Sequence, residues 1–387
     1  MALIAFCITL LVQLTTPVPP DLASCAFDGK FYGAMASSSG EAWYVYQAPW
    51  CWRVLTPWMV SILPLPTLTA FQVLNFVFAW LNVALVGWLA QRICTPKSSA
   101  LAAMLLYSGV FWSLKFSFYC PCYIDIQTQT FFLIVLCLLE VRRYRIIPWV
   151  LALGVLQKES IVLLAPVVAI EQYCAQRDRK KALLYLLVLL GFCGVALAAV
   201  RGTITPVNQY LSEAAFRQQL VYDLESLLSF RSQILVNLLS GLGLLWLIAI
   251  WRGRVLLRFL RGNPQWAAVI VLGILPLFAG TDKGRFFLYM LPAVTIVAVY
   301  CLHPVLRALE RRDRVVCFWV AATLLLHFYI GHLLSPAGAP EEVFSRMGQW
   351  PALTSVDAYR FIVCAVAWVI LTIWLMRRRP QLLQVVA

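Results

Sequence analysis

Five short stretches hold the residues whose chemistry is hard to explain as lipid-facing filler. Ala-Phe-Asp-Gly-Lys-Phe-Tyr-Gly at 26–33 offers Asp28, Lys30 and Tyr32. Trp-Cys-Trp-Arg-Val-Leu-Thr-Pro-Trp at 50–58 offers Arg53. Tyr-Cys-Pro-Cys-Tyr-Ile-Asp at 119–125 ends on Asp125, Lys158 and Glu159 are adjacent, and Thr-Asp-Lys-Gly-Arg at 281–285 offers Lys283 and Arg285. Carboxylates near fixed cations suit group transfer from a phosphate-linked donor. A held carboxylate can take the proton of an incoming hydroxyl, and fixed positive charge stabilises the departing phosphate. Arginine fits because its planar fork matches phosphate oxygens. Asp28 is therefore the candidate base, and Asp125 a second candidate catalytic acid. Arg53, with Lys283 or Arg285, is the candidate clamp, and Lys30, Tyr32, Lys158 and Glu159 are candidate substrate contacts.

Each residue also has a plainer reading. Asp28 can be a solvated loop acid, and Arg53 an anchor on lipid headgroups. Asp125 can stabilise the N-terminus of its own helix, which does not exclude catalysis. Lys283 and Arg285 can be snorkelling charges, and Lys158–Glu159 can serve only to fix a backbone break. Lys115 has two readings, as partner to Asp125 or as an outward-reaching lysine. His303, His327 and His332 are not spaced with the cysteines as metal ligands. No metal site or cofactor is expected from this pattern, and divalent-metal dependence stays open.

The elements that must position these residues follow from composition. Of 387 residues, 62% are apolar and 12% charged, with mean hydropathy +0.82; soluble domains are nearer half apolar and a quarter charged. Apolar runs of roughly 17–25 residues match the ~30 Å hydrocarbon layer. Such runs must be helical, because backbone polar groups find no partners in lipid, and the alternation of a membrane barrel is missing. The expected fold is all-α, a polytopic transmembrane bundle.

The net charge of +14 records orientation. Twenty of the 31 Lys and Arg fall in six short gaps: 92–97, 142–145, 177–181, 252–261, 307–314 and 377–379. Excess Lys and Arg marks cytoplasmic loops and meets anionic headgroups, so a nucleic-acid partner is not expected. The intervening gaps hold most of the acids, Asp28 and Asp125 among them. Spans are expected at 2–18, 70–91, 100–118, 123–140, 182–200, 232–251, 265–280, 286–303, 315–333 and 360–376, about ten full crossings. Both termini are then cytoplasmic. Residues 146–173 have basic flanks on both sides and Lys158–Glu159 midway, a costly pair at a bilayer centre. They are expected to form a hairpin of two half-spans lining a cavity.

The chain reads as one membrane domain, 1–387, with three outer loops. The first, 19–69, carries an interfacial helix near 54–63. The second, 201–231, is amphipathic, with Leu211, Phe216, Leu220, Leu224 and Leu227 near one face. The third is 334–359. Trp43, Tyr44, Tyr46 and Trp50 in the first loop suit either sugar stacking or an interfacial aromatic belt. Leu22-Ala-Ser-Cys25 fits a lipoprotein cleavage box, but the preceding segment lacks a basic start and is interrupted by Pro17, Pro19 and Pro20. An uncleaved first span is the expectation. Most cysteines lie in apolar runs as small hydrophobes; a Cys25–Cys51 bridge is one option on an oxidising side.

The order of these features resembles the GT-C superfamily of membrane glycosyltransferases, in its protein-mannosyltransferase-like branch that uses polyprenyl-phosphate sugars. Asp28 of AFDGKFYG matches the acid of the family's first loop, and Arg53 of WCWRVLTPW its lipid-phosphate contact. Asp125 of YCPCYIDIQTQTFF matches a second acid at the outer start of the fourth span. GVLQKESIVLLAP at 154–166 is similar to a Lys/Arg-containing break between two short helices. RFFLYMLP at 285–292 is similar to a late Arg-to-Pro feature. The resemblance implies a multi-pass enzyme of a bacterial inner membrane. It would move a sugar from a polyprenyl-phosphate carrier to an envelope glycan, lipid or protein acceptor on the outer face. Two other classes compete. A broken span with a buried charged pair also suits a transporter or flippase of a lipid-linked intermediate, and a non-catalytic subunit of an envelope-assembly complex is the third.

Overall fold

The computed structural model describes residues 1–18, 28–38, 49–204, 221, 225, 238, 241–275, 287–333 and 355–382. Those residues are helical, with no strand among them. The first half contains α1 (Ala2–Leu14), α2 (Asp28–Ser37), α3 (Leu55–Ser61), α4 (Thr67–Ile93), α5 (Ser99–Ser108) and α6 (Lys115–Tyr119). It continues through α7 (Asp125–Glu140), α8 (Ile147–Gln157), α9 (Leu164–Gln176) and α10 (Arg179–Thr203). The second half contains α11 (Leu245–Trp251), α12 (Gly253–Gly262), α13 (Pro264–Leu272), α14 (Leu291–Cys301), α15 (His303–Glu310), α16 (Arg314–Leu333) and α17 (Ser355–Arg378).

Four of these helices, α4, α10, α16 and α17, are long and apolar enough to cross a membrane. The pair α14 and α15, bent by 60°, makes a fifth if it acts as one span. This falls short of the ten crossings expected from hydropathy. Part of the difference lies outside the described residues, which omit 276–286 and most of 205–240, including the amphipathic stretch of the second loop. The rest is physical, because apolar runs are broken by packing that hydropathy does not register.

The run at 100–118 shows how. It stops as α5 at Ser108 and resumes only as the short α6. At the break, a Cβ on Gly109 would lie 2.4 Å from the His327 ring, and one on Gly331 would lie 2.2 Å from the Gly109 carbonyl. Only glycines allow α5 and α16 to approach this closely. Ser113 Oγ bonds the carbonyls of Tyr107 (2.7 Å) and Val110 (2.6 Å), bracing the turn that follows the broken helix. His327 is wholly buried. Its Nδ1 accepts from Leu244 N at 3.1 Å and its Nε2 meets Leu106 O at 2.6 Å. The ring is a neutral staple between α5, α16 and the start of α11.

Helix directions define two ends of the bundle. Trp80 Nε1 donates to Ala2 O and Phe6 packs on Phe76, so α1 runs antiparallel to α4. Asn75 reaches Pro121 O and Asn82 reaches Ile126 O, so α4 and α7 descend side by side. Tyr185 OH donates to Tyr144 O and Trp149 packs edge-on to Phe192 at 4.8 Å, so α8 and α10 rise together. Between them the chain breaks at Lys158, whose backbone is extended (φ −162°, ψ 132°). A 3-10 turn over Glu159–Leu163 leads into α9. Glu171 of α9 borders the same cavity as Glu140 and Arg142, so α9 has run back to the level where α8 began. Residues 147–176 are thus a helical hairpin with its tip at Lys158. One bundle end holds this tip, α2, α3 and the Cys-Pro-Cys turn. The other gathers Arg92, Arg142 and the α9–α10 junction.

Candidate functional site

The hairpin tip is the hub of its end of the bundle. Four consecutive residues, Gln157-Lys158-Glu159-Ser160, bond to four separate places. Gln157 Oε1 accepts from Thr56 Oγ1 of α3 at 2.7 Å, while its Nε2 donates to Ile124 O, just before α7, at 3.0 Å. Lys158 Nζ donates to Asp125 Oδ1 at 2.7 Å. Glu159 Oε2 accepts from Arg53 Nε at 3.0 Å. Ser160 Oγ donates to Tyr289 OH at 2.9 Å. An extended residue between two helices lets neighbouring side chains diverge in this way, which a continuous helix would confine to fixed faces.

The two ion pairs differ in exposure. The Lys158 and Asp125 side chains are 8% and 7% exposed, and Arg53 and Glu159 are 15% and 24%. Asp125 opens α7, where a carboxylate also meets the favourable helix dipole. Its ion-pair partner is Lys158, whereas Lys115 is buried separately at 7% exposure. The Lys158 ammonium also lies 5.6 Å from the Tyr289 ring centre.

Arg53 is the centre of the second group. Its Nη1 donates to Tyr32 OH at 2.9 Å while Nε holds Glu159. Burial alone would lower the guanidinium pKa. Tyr32, Glu159 and Asp28 outweigh it and raise the value above that of free arginine, so the charge is permanent. Burial raises the Tyr32 phenol, keeping it neutral. Glu159 Oε1 is buried with no hydrogen-bond partner, an expensive condition for a carboxylate oxygen.

Asp28 is half-buried at the start of α2 and acts electrostatically on both Tyr32 and Arg53. Its position depends on Gly29. A Cβ there would press on Cys122 Cβ at 3.3 Å and on the Tyr123 ring at 3.4 Å, so α2 sits hard against the Cys-Pro-Cys turn. Asn75 holds that turn by donating to Ser117 O and Pro121 O, both at 2.8 Å. Its Oδ1 accepts from Gln127 Nε2 at 2.6 Å. Phe31 stacks on Trp50 at 4.5 Å, and Arg201 at the end of α10 lies over Trp52 at 4.4 Å.

The structure thus brings together Asp28, Tyr32, Arg53 and Glu159, with Lys158 and Asp125 beside them through the tip. Lys30 stands apart, exposed over the Phe31 ring at 5.3 Å. Lys283 and Arg285 lie outside the described residues, as do Cys25, Trp43, Tyr44 and Tyr46. Cys51 is a buried thiol rather than half of a bridge, and Cys120 and Cys122 are buried too. No cluster able to hold a metal ion occurs among the described residues. Sequence reasoning missed Gln157, Ser160, Thr56 and Tyr289. A signal existed for the first two, since they make the charged pair a run of four polar residues in an apolar segment.

No family model matches the chain, and no curated protein matches it.

Proposed function

We propose that this protein is a membrane glycosyltransferase of the GT-C type, with about ten crossings, both termini cytoplasmic and the hairpin tip at the outer face of a bacterial inner membrane. It takes a sugar from a polyprenyl-phosphate carrier and passes it to an envelope acceptor. One observation carries the reading. A largely enclosed, permanently charged Arg53 is held through Nε by Glu159 and through Nη1 by Tyr32, next to a carboxylate oxygen with no partner. The rest of the guanidinium fork can receive phosphate oxygens. The orphan Glu159 oxygen can receive a hydroxyl of sugar or acceptor. Asp28 takes the acceptor's proton as the acceptor oxygen bonds to the anomeric carbon, and the electrons of the breaking C–O bond pass to the lipid phosphate beside Arg53. Water kept out by the first loop would limit hydrolysis.

The test is transfer of label from a panel of polyprenyl-phosphate sugars by purified protein. Asp28→Asn is expected to abolish transfer while expression and melting stay unchanged. Full activity in that variant removes Asp28 from its role, and a panel left wholly unconsumed removes the reading. The buried Lys158–Asp125 pair at a helix break favours the transporter or flippase as second reading. It requires substrate flux in sealed vesicles that is lost in Lys158 variants and retained in Asp28→Asn.

A further inference from the structure

The hairpin's return leg closes against a second site, at the opposite, arginine-rich end. A cavity of about 200 Å³ opens there between the end of α7, the last turns of α9 and the α12–α13 junction. Glu140 and Glu171 border it from α7 and α9, and Arg142 stands at the rim. Both carboxylates are only half-buried, and neither makes a hydrogen bond or ion pair. Gln265 adds a side-chain oxygen that is itself buried and unpartnered. Leu136, Leu139 and Trp266, all buried, form the apolar wall.

These groups define the ligand by charge. The carboxylates and the Gln265 oxygen are acceptors waiting for donors, which describes a site for an ammonium group. A bare metal ion is disfavoured by Arg142 and by Arg92, which acts electrostatically on Glu140. A simple anion is disfavoured by the two carboxylates. A molecule carrying an ammonium two carbons from a phosphodiester satisfies both sets. The ammonium enters between Glu140 and Glu171, and the phosphate stays at the rim on Arg142, whose fork suits it. We propose that this cavity binds the zwitterionic ethanolamine-phosphate headgroup of a membrane phospholipid, and that the bound headgroup ties α9 to α7 and α13. The inference does not depend on the reading of the hairpin tip.

Native mass spectrometry of the full-length protein in detergent tests it, with phosphatidylethanolamine, phosphatidylglycerol and phosphatidylcholine supplied in turn. Phosphatidylethanolamine should be retained roughly tenfold better than phosphatidylglycerol, the gain expected of one charge-assisted hydrogen bond set. Its trimethylated analogue should lose most of that advantage, because it cannot donate. The Glu140→Gln/Glu171→Gln variant should abolish the preference. If that variant is poorly folded, Gln265→Leu keeps both charges and should still weaken retention. Soluble O-phosphoethanolamine raising the melting temperature would show that the headgroup alone is read. Protection by the lipid only would show that the acyl chains contribute to the same site. Equal retention of ethanolamine and glycerol lipids, or wild-type preference in both variants, would overturn the proposal.

Discussion

The two ends of the 147–176 hairpin use charge in opposite ways. At the tip, Lys158 and Glu159 are tied to Asp125 and Arg53, and the flanking Gln157 and Ser160 are bonded as well. At the return end, Glu140 and Glu171 border a cavity without a hydrogen bond or ion pair, and Arg142 acts on both only at longer range. The tip is therefore preorganised by the protein's own contacts and presents few loose groups, chiefly Glu159 Oε1 and Arg53 Nη2. The return end keeps whole carboxylates available. A pair sealed from water holds a fold together, and an unsealed one leaves its binding capacity for something else.

Breaking the tip should have the largest effect. Lys158→Met removes the ion-pair partner of the buried Asp125 carboxylate and is expected to cost about 3–5 kcal/mol, the typical penalty for removing one partner of a buried pair. Asp125→Leu combined with Lys158→Met should recover much of that loss. Thermal unfolding of the three forms measures it, and a single variant within ~1 kcal/mol of wild type would mean that water reaches the pair. Next comes Gln157→Leu, which leaves the buried Thr56 hydroxyl without its acceptor and removes one donor from the Ile124 carbonyl, which Thr128 still bonds. It should cost about 1–3 kcal/mol and loosen α3, seen as faster proteolysis near residue 55.

The return end should respond far less. Glu140→Gln alone, measured in lipid-free detergent, is expected to shift stability by no more than ~0.5 kcal/mol, because the half-buried carboxylate makes no hydrogen bond or ion pair to lose. A loss as large as that of Lys158→Met would erase the contrast between the ends. Finally, burial pushes the Cys51 thiol up to about 11. A raised pKa keeps the thiol neutral until pH approaches that value, so thiolate chemistry is suppressed at neutral pH. Alkylation of a variant retaining only this cysteine should be slow in the folded protein and should accelerate on unfolding. Rapid labelling of folded protein at pH 7 would show that the first loop is open.

Much of the architecture was legible in the residues, because it rests on local and compositional physics. Apolar runs demand helices, and the basic gaps separate the two ends that the helix directions then reveal. The break at Lys158 was visible as a charged pair stranded in an apolar stretch. The crossings were not countable in the same way. Gly109 and Gly331 shape the helices they belong to through close approaches between segments far apart in the sequence, and hydropathy is blind to contacts.

The candidate site divides along the same line. Residue type alone marked Asp28, Arg53, Asp125, Lys158 and Glu159 as chemically unusual, since each charge is costly unless paired or used. Which charge faces which was decided only by the tertiary fold. The sequence leaves Asp125 with Lys115 nearby, yet Lys158, 33 positions along, holds it, and Glu159 turns the other way to Arg53. The reason is geometric. One extended residue at the hairpin tip sends adjacent side chains to different helices, and no one-dimensional spacing encodes where those helices will stand.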